Sequence, residues 1–253
     1  MERLRRLVRR RSLRSSERAF VLEGAKVIGE ALDAGVALEA VFCAPDADAV
    51  RPLLQRALDA GVRVHTLQAG LIERVADTVT PQPVMAIAPW VDVPLDDVAD
   101  ADFLVVCVDV RDPGNAGTVL RTAEAAGASA VVFCDGSVDV FNPKTVRASA
   151  GSLFHVPVVN GGSVDDVLRT LGSWGVRRLG TEARDGTTYD AADLRARVAI
   201  VLGNEAHGLP DGIELDERVT IPMAGSGESL NVGMAAAVLC FEVARQRRAV
   251  APG

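Results

Sequence analysis

The sequence predicts a two-domain α/β protein, in which a small α/β unit precedes a larger, doubly wound α/β domain. Three observations lead there. Short apolar runs of strand length alternate with helix-length stretches along nearly the whole chain. The alternation breaks once, across residues 90–102, where Pro94 and a run of aspartates read as a linker. Beyond that break Phe103 to Val110 is an almost continuous apolar run, as expected for a strand buried on both faces of a parallel sheet.

Taken in order, residues 1–18 form a basic arm. Residues 19–89 form the small domain, with strands predicted at Phe20–Leu22, Leu38–Cys43, Val62–Thr66 and Val84–Ala88. Helices are predicted between them, over Ala25–Ala34, Asp46–Ala60 and Leu71–Ala76. Residues 103–253 form the large domain. Its strands are expected at 103–110, 130–134, 156–159, 176–180, 198–203 and 218–221, with helices over 116–126 and 231–248. No internal repeat or low-complexity segment interrupts the pattern.

Composition narrows the class. Cys43, Cys107, Cys134 and Cys240 lie far apart inside apolar runs, and His65, His155 and His207 are isolated. That spacing argues against a disulfide framework or a metal site and for reduced core thiols in a cytoplasmic protein. The chain opens on arginines, unlike a secretory signal, and no apolar run reaches membrane-spanning length. Net charge is −7, yet residues 1–18 hold eight arginines against Glu2 and Glu17, a local +6 that leaves −13 on the remainder. Such asymmetry fits a basic arm meeting a polyanion, and equally a solubilising terminus.

Chemistry in an open parallel sheet sits where strand ends meet helix starts. Three such loops carry the candidates. In the first, Asp109 to Gly117, Asn115 and Gly117 suit a tight turn into a helix on which Arg121 projects one turn further. In the second, Val201 to Pro210, a strand ends in Gly203 and runs into Asn204, Glu205 and His207. In the third, Ile221 to Val232, Gly225, Ser226 and Gly227 give flexibility, and Ser229 or Asn231 caps the last helix. Each loop alone reads equally well as an ordinary turn. A dinucleotide-binding fold is disfavoured, because Gly114, Gly117 and Gly127 do not make the G-x-G-x-x-G fingerprint.

Together the loops resemble the three signature motifs of the SpoU (TrmH-type) branch of the SPOUT methyltransferases. The first matches at Asn115, Gly117 and Arg121, the second at Gly203, Glu205 and Gly208, and the third at Ile221-Pro-Met and Ser229-Leu-Asn-Val, across roughly residues 103–248. The block Asn142 to Gly151 resembles a segment of the rRNA-modifying members. The front domain is similar to their L30e-like substrate-binding domain.

The resemblance implies a trefoil-knotted α/β methyltransferase domain and a homodimer with active sites near its interface. It implies S-adenosylmethionine as cofactor, no metal, and methyl transfer to a ribose 2′-hydroxyl, with 23S rRNA as the expected substrate. The alternatives are tRNA as substrate, or a catalytically silent RNA-binding or ribosome-assembly factor on the same fold. It implies a cofactor held around Thr181, Leu202, Gly203, Asn204, Ile221, Met223, Leu230 and Val232. Asn115, Arg121, Glu205, Ser229 and Asn231 form the implied catalytic set. The family gives Arg121 the proton-accepting role, although a guanidinium suits phosphate binding or alkoxide stabilisation as well. Arg9, Arg10, Arg11, Arg14, Arg18, Arg111, Lys144 and Arg147 are expected to meet RNA, with the arm ordering as it binds.

Overall fold

The computed structural model describes residues 1–225 and 229–249, so Ser226 and Gly227 lie outside the described residues. It divides into two compact units, Met1–Val91 with Asp139–His155, and Asp92–Val138 with Val156–Gly253.

The first unit begins with α1 (Glu2–Arg9) and α2 (Arg11–Glu17), followed by β1 (Ala19–Glu23) and α3 (Ala25–Asp33). Next come β2 (Ala40–Cys43), α4 (Arg51–Asp59), β3 (Arg63–Thr66), α5 (Leu71–Val75) and β4 (Val84–Pro89). The sheet order is β1-β4-β2-β3, with β4 antiparallel to both its neighbours and β2 parallel to β3. The basic arm departs from expectation. Its Leu4, Leu7 and Val8 share one helix face and are buried against Ala19, Val21, Met85 and Ile87. The arm is therefore helical and docked without RNA. The charge count concealed an apolar face spaced i, i+3, i+4.

The second unit carries β5 (Phe103–Cys107), α6 (Pro113–Ala126) and β6 (Ala130–Phe133). Residues 139–155 then belong to the first unit and carry α7 (Pro143–Ser149). The second unit resumes with β7 (Val158–Asn160), α8 (Val164–Ser173), β8 (Arg177–Glu182), β9 (Thr187–Thr188), β10 (Val198–Leu202), β11 (Glu217–Thr220) and α9 (Val232–Arg248). Its seven strands run in the order β7-β6-β5-β10-β8-β11-β9, every pairing parallel. The central strands β5 and β10 are buried at every position. One core cluster joins Leu104, Val106, Ala199 and Val201 to Leu168 and Leu171 of α8. The expected linker is packed here too: Val98 and Ala101 are buried in the same cluster, and Asp92 bridges Val158.

Burial pushes the Cys134 and Cys240 thiols up to about 12 and raises Cys107 well above the usual thiol range. At pH 8 a thiol at about 12 is ionised in roughly one molecule in ten thousand, and the thiolate is the reactive form. Iodoacetamide at pH 8 is therefore expected to leave these three cysteines unmodified in the native protein and to label them after denaturation. Mass spectrometry of the peptides reads the result, and rapid native labelling of any of the three would contradict the packing described.

The placement of residues 139–155 also departs from the sequence boundaries, for reasons of packing. Phe141 is fully buried and stacks on Trp90 at 4.6 Å, with Phe20 4.8 Å away. Arg14, expected to face RNA, is instead 3 % exposed and tied to Asp139, Nε donating to Oδ2 at 2.8 Å. Its Nη1 donates to the carbonyls of Leu7 and Val8, satisfying the open end of α1. Asp139→Ala leaves that guanidinium buried and unpaired, which is expected to cost about 3–5 kcal/mol in denaturant unfolding. A loss under about 1 kcal/mol would show that the pair is not what holds the segment. Arg147, also expected at RNA, donates to Glu23 Oε2 at 3.0 Å and to the Asp77 carbonyl, so it braces this unit.

Candidate active site

The parallel order β5-β10-β8-β11 sets four strand ends side by side, and the loops that leave them converge. Local sequence explains each loop. After β5, Asp112 caps α6 by accepting from Asn115 N–H at 2.8 Å, and Pro113 needs no backbone donor there. After β10, Asn204 and Gly208 pair through both backbone N–H groups, each at 2.9 Å. The Asn204 side-chain oxygen accepts from Ala206 and His207 N–H, closing a tight turn. Gly203 is required by proximity, since a Cβ there would stand 2.4 Å from the Gly208 carbonyl carbon. Before α9, Asn231 is the cap, accepting from Gly233 N–H at 2.9 Å. Gly233 in turn lets α9 approach α6, where a Cβ would meet Thr118 Cγ2 at 2.9 Å.

One side chain joins the three loops. Asn115 Nδ2 donates to Glu205 Oε1 at 2.9 Å, and Asn115 Oδ1 accepts from Asn231 Nδ2 at 2.8 Å. Asn231 uses both ends of its amide, one on its own helix and one on Asn115. Three of the residues expected to be catalytic thus form one hydrogen-bonded chain. Arg121 lies on α6, exposed, with no hydrogen-bond or ion-pair partner among the described residues. An exposed, uncompensated cation on the helix that carries Asn115 is open to an anionic ligand.

A cavity of about 550 Å³ opens along the ends of β8, β10 and β11. Of the residues expected at a cofactor, Thr181, Gly203, Asn204, Ile221, Leu230 and Val232 line it, as do Glu205 and Ser229. Leu202 and Met223 are not in its wall. Leu202 is buried within β10, and Met223 points to solvent, 37 % exposed. Asn115, Arg121 and Asn231 also lie outside the wall. Sequence reasoning missed Glu182, which lines the cavity at the end of β8 and holds Arg218 at 2.6 Å. It also missed Asp109 and Asp112. Asp109 interrupts an apolar run at a strand end, and that was the available signal. Arg111, expected at RNA, is exposed but held by Asp109 at 2.8 Å, which raises its affinity for its proton. Among the described residues no group of three or more His, Cys, Asp or Glu is placed to hold a metal.

Comparison with known proteins adds relatives to this geometry. A family model described as the SpoU rRNA Methylase family matches residues 102–241, and an MRM3-like substrate binding domain model matches residues 1–86. A Bacillus subtilis protein named 23S rRNA (guanosine(2553)-2'-O)-methyltransferase RlmP is 34% identical over 91% of this chain and 90% of its own length. The crystal structure of an AdoMet-bound rRNA methyltransferase from Sinorhizobium meliloti superposes with a TM-score of 0.86 at 30% identity, covering 99% of this chain and 95% of that one. The SpoU methyltransferase AviRb from Streptomyces viridochromogenes, in complex with AdoMet, gives a TM-score of 0.86 at 28% identity, with 98% of each chain covered.

Proposed function

The chain belongs to the SpoU rRNA methylase family, and from that premise we propose that it transfers a methyl group from S-adenosylmethionine to a ribose 2′-hydroxyl of 23S rRNA. The observation that carries the proposal is the Asn115 junction, which ties the three family loops together beside a ligand-sized cavity.

The residues present fit the cofactor. The cavity lies within the size range of small-molecule sites, and its wall includes the apolar Val219, Ile221, Leu230, Val232 and Leu239. Strand-end backbone around Gly203 offers N–H and C=O groups to a purine edge, and the Glu182 carboxylate offers an acceptor to an ammonium. When bound, the cofactor supplies a methyl group already activated by its sulfonium charge. The protein's task is to position the hydroxyl and manage its proton. Glu205, Asn115 and Asn231 hold the loops in one register. Arg121 offers a fixed positive charge to the adjacent phosphate or to the oxygen as its proton passes to solvent water. A guanidinium is a poor proton acceptor, so charge stabilisation is the better assignment for Arg121.

Arg9, Arg10 and Arg11 are exposed on the arm helices and Lys144 is exposed on α7; they are proposed to meet RNA phosphates, with Arg111 and Arg18. Arg18 also lies over the Trp90 ring at 4.9 Å. A homodimer is proposed on α9, where Met234 and Phe241 are 59 % and 48 % exposed at a spacing that puts them on one helix face. The trefoil knot is proposed on the strand order, in which β11 inserts between β8 and β9 instead of adding at an edge. Among the described residues no helix is long and apolar enough to cross a membrane, and the reading places the protein in the cytoplasm with its substrate.

The test is transfer of labelled methyl from S-adenosylmethionine to 23S rRNA, tRNA and assembled subunits, with the product mapped by its resistance to alkaline cleavage. Label at a ribose 2′-O of 23S rRNA supports the proposal. Label only in tRNA moves the substrate, and cofactor binding without any transfer favours the silent RNA-binding reading.

A further inference from the structure

We infer that Asp109 is a positioning residue for the cofactor side of this site, acting through Asn204. Its link to turnover rests on the methyltransferase reading; its geometry does not. Among the described residues only three non-glycine positions have positive φ, and two of them, Arg18 and Ala150, are left-handed helix ends. The third, Asp109 at φ 56, follows β5 and ends no helix. A left-handed residue that carries a side chain is disfavoured unless its surroundings impose it, and Asp and Asn tolerate it better than most.

The contacts show what that conformation does. Asp109 meets the Asn204 amide twice, its carbonyl accepting from Nδ2 at 2.9 Å and its Oδ2 from the same nitrogen at 3.2 Å. The other carboxylate oxygen takes Arg111 Nε at 2.8 Å. On that side Gly136 leaves room for it, since a Cβ there would come within 3.2 Å of Oδ1. The far end of the Asn204 amide accepts from Ala206 and His207 N–H and so folds the turn whose residues wall the cavity. That turn carries Glu205, which receives Asn115. Asn204 is thus a strut with one end on Asp109 and the other on the turn. Asp109 fixes which end of the amide points where, and with it the register of the cavity wall and of the Glu205–Asn115 contact.

Three substitutions separate backbone from side chain. Asp109→Asn keeps the left-handed preference and an oxygen for Asn204 Nδ2. Asp109→Gly keeps the backbone, with its carbonyl bond to Asn204 Nδ2, but removes the side-chain oxygen. Asp109→Ala loses both. S-adenosylmethionine affinity is measured by calorimetry, methyl transfer by initial rates, and the turn itself by amide exchange at Ala206, His207 and Gly208 without cofactor. The Asn variant should stay within about threefold of wild type in affinity and exchange. The Gly variant should bind the cofactor roughly tenfold more weakly, exchange those amides faster, and lose more in KM for the cofactor than in kcat. Asp109→Gly combined with Asn204→Ala should lose little more than Asn204→Ala alone, because the Asp109 carboxylate acts through the Asn204 amide that the second substitution removes. A Gly variant with wild-type affinity and exchange, or losses that simply add, would overturn the inference. Wild-type protein that fails to bind S-adenosylmethionine, with the exchange order intact, would reject the methyltransferase reading and leave the Asp109 assignment standing.

Discussion

Replacing Arg121 with alanine is expected to slow methyl transfer by roughly 10²–10³ while leaving the fold and cofactor binding in place. Arg121 is exposed, has no partner among the described residues, and lies outside the cavity wall, so its removal opens no void and strands no buried group. Stability should change by no more than about 0.5 kcal/mol, as for other surface positions. Turnover is a different matter. A cation aimed at the charge that develops as the hydroxyl loses its proton contributes only in the transition state, and losing one such donor costs roughly 10²–10³ in rate. Arg121→Lys keeps the charge but not the planar fork, and is expected to recover a part of the rate. The measurement is kcat and KM on rRNA alongside calorimetric cofactor affinity. Arg121→Ala within tenfold of wild-type turnover would remove Arg121 from the mechanism.

Gly203→Ala is expected to act on the other half of the site. The new methyl carbon would stand 2.4 Å from the Gly208 carbonyl carbon and 2.6 Å from both its oxygen and Leu209 N, all backbone atoms that no rotamer change can move aside. The hairpin closed by the Asn204–Gly208 pair must open, at about 1–3 kcal/mol of stability. Because Asn204, Glu205, Ala206, His207 and Gly208 all line the cavity, a shift of about an ångström there should weaken S-adenosylmethionine binding by about a hundredfold. Gly208→Ala is the control within the same turn. Its φ is +67, but nothing lies within 4 Å of the added carbon, so only the left-handed strain of about 1–2 kcal/mol applies. Equal effects from the two substitutions would mean that backbone conformation, and not the Gly203–Gly208 approach, sets the turn.

Much of this was legible in the chain itself. All four strands predicted for the small domain form, and so do β5, β10 and the final helix; for β5 and β10 the reason is burial on both faces, which writes itself into consecutive apolar residues. Asn115, Glu205 and Asn231 were also legible, through the joint order and spacing of the three loops and not through any one loop, where each reads as well as a cap or turn residue. Other features depend on a distant partner, and periodicity carries no record of one. Arg14 counted as one of eight arginines in a basic arm, yet Asp139, 125 residues away, draws it into the core. Phe141 read as part of the large domain until Trp90 and Phe20 claimed it. Leu202 and Met223 shared the motif pattern of their neighbours, but a pleat turns one inward and a loop turns the other outward.

By itself, then, the sequence determined the α/β class, the order of most strands and helices, and the residue types gathered at three strand ends. Those are local properties, set by burial pattern and turn chemistry within a few residues. The tertiary structure alone decided that Asn115 is the point where the three loops meet, that Asp109 braces the Asn204 turn, and that residues 139–155 leave the large domain for the small one. Each of these is a contact between groups tens to more than a hundred positions apart, and only the folded chain brings such groups within hydrogen-bonding or van der Waals distance.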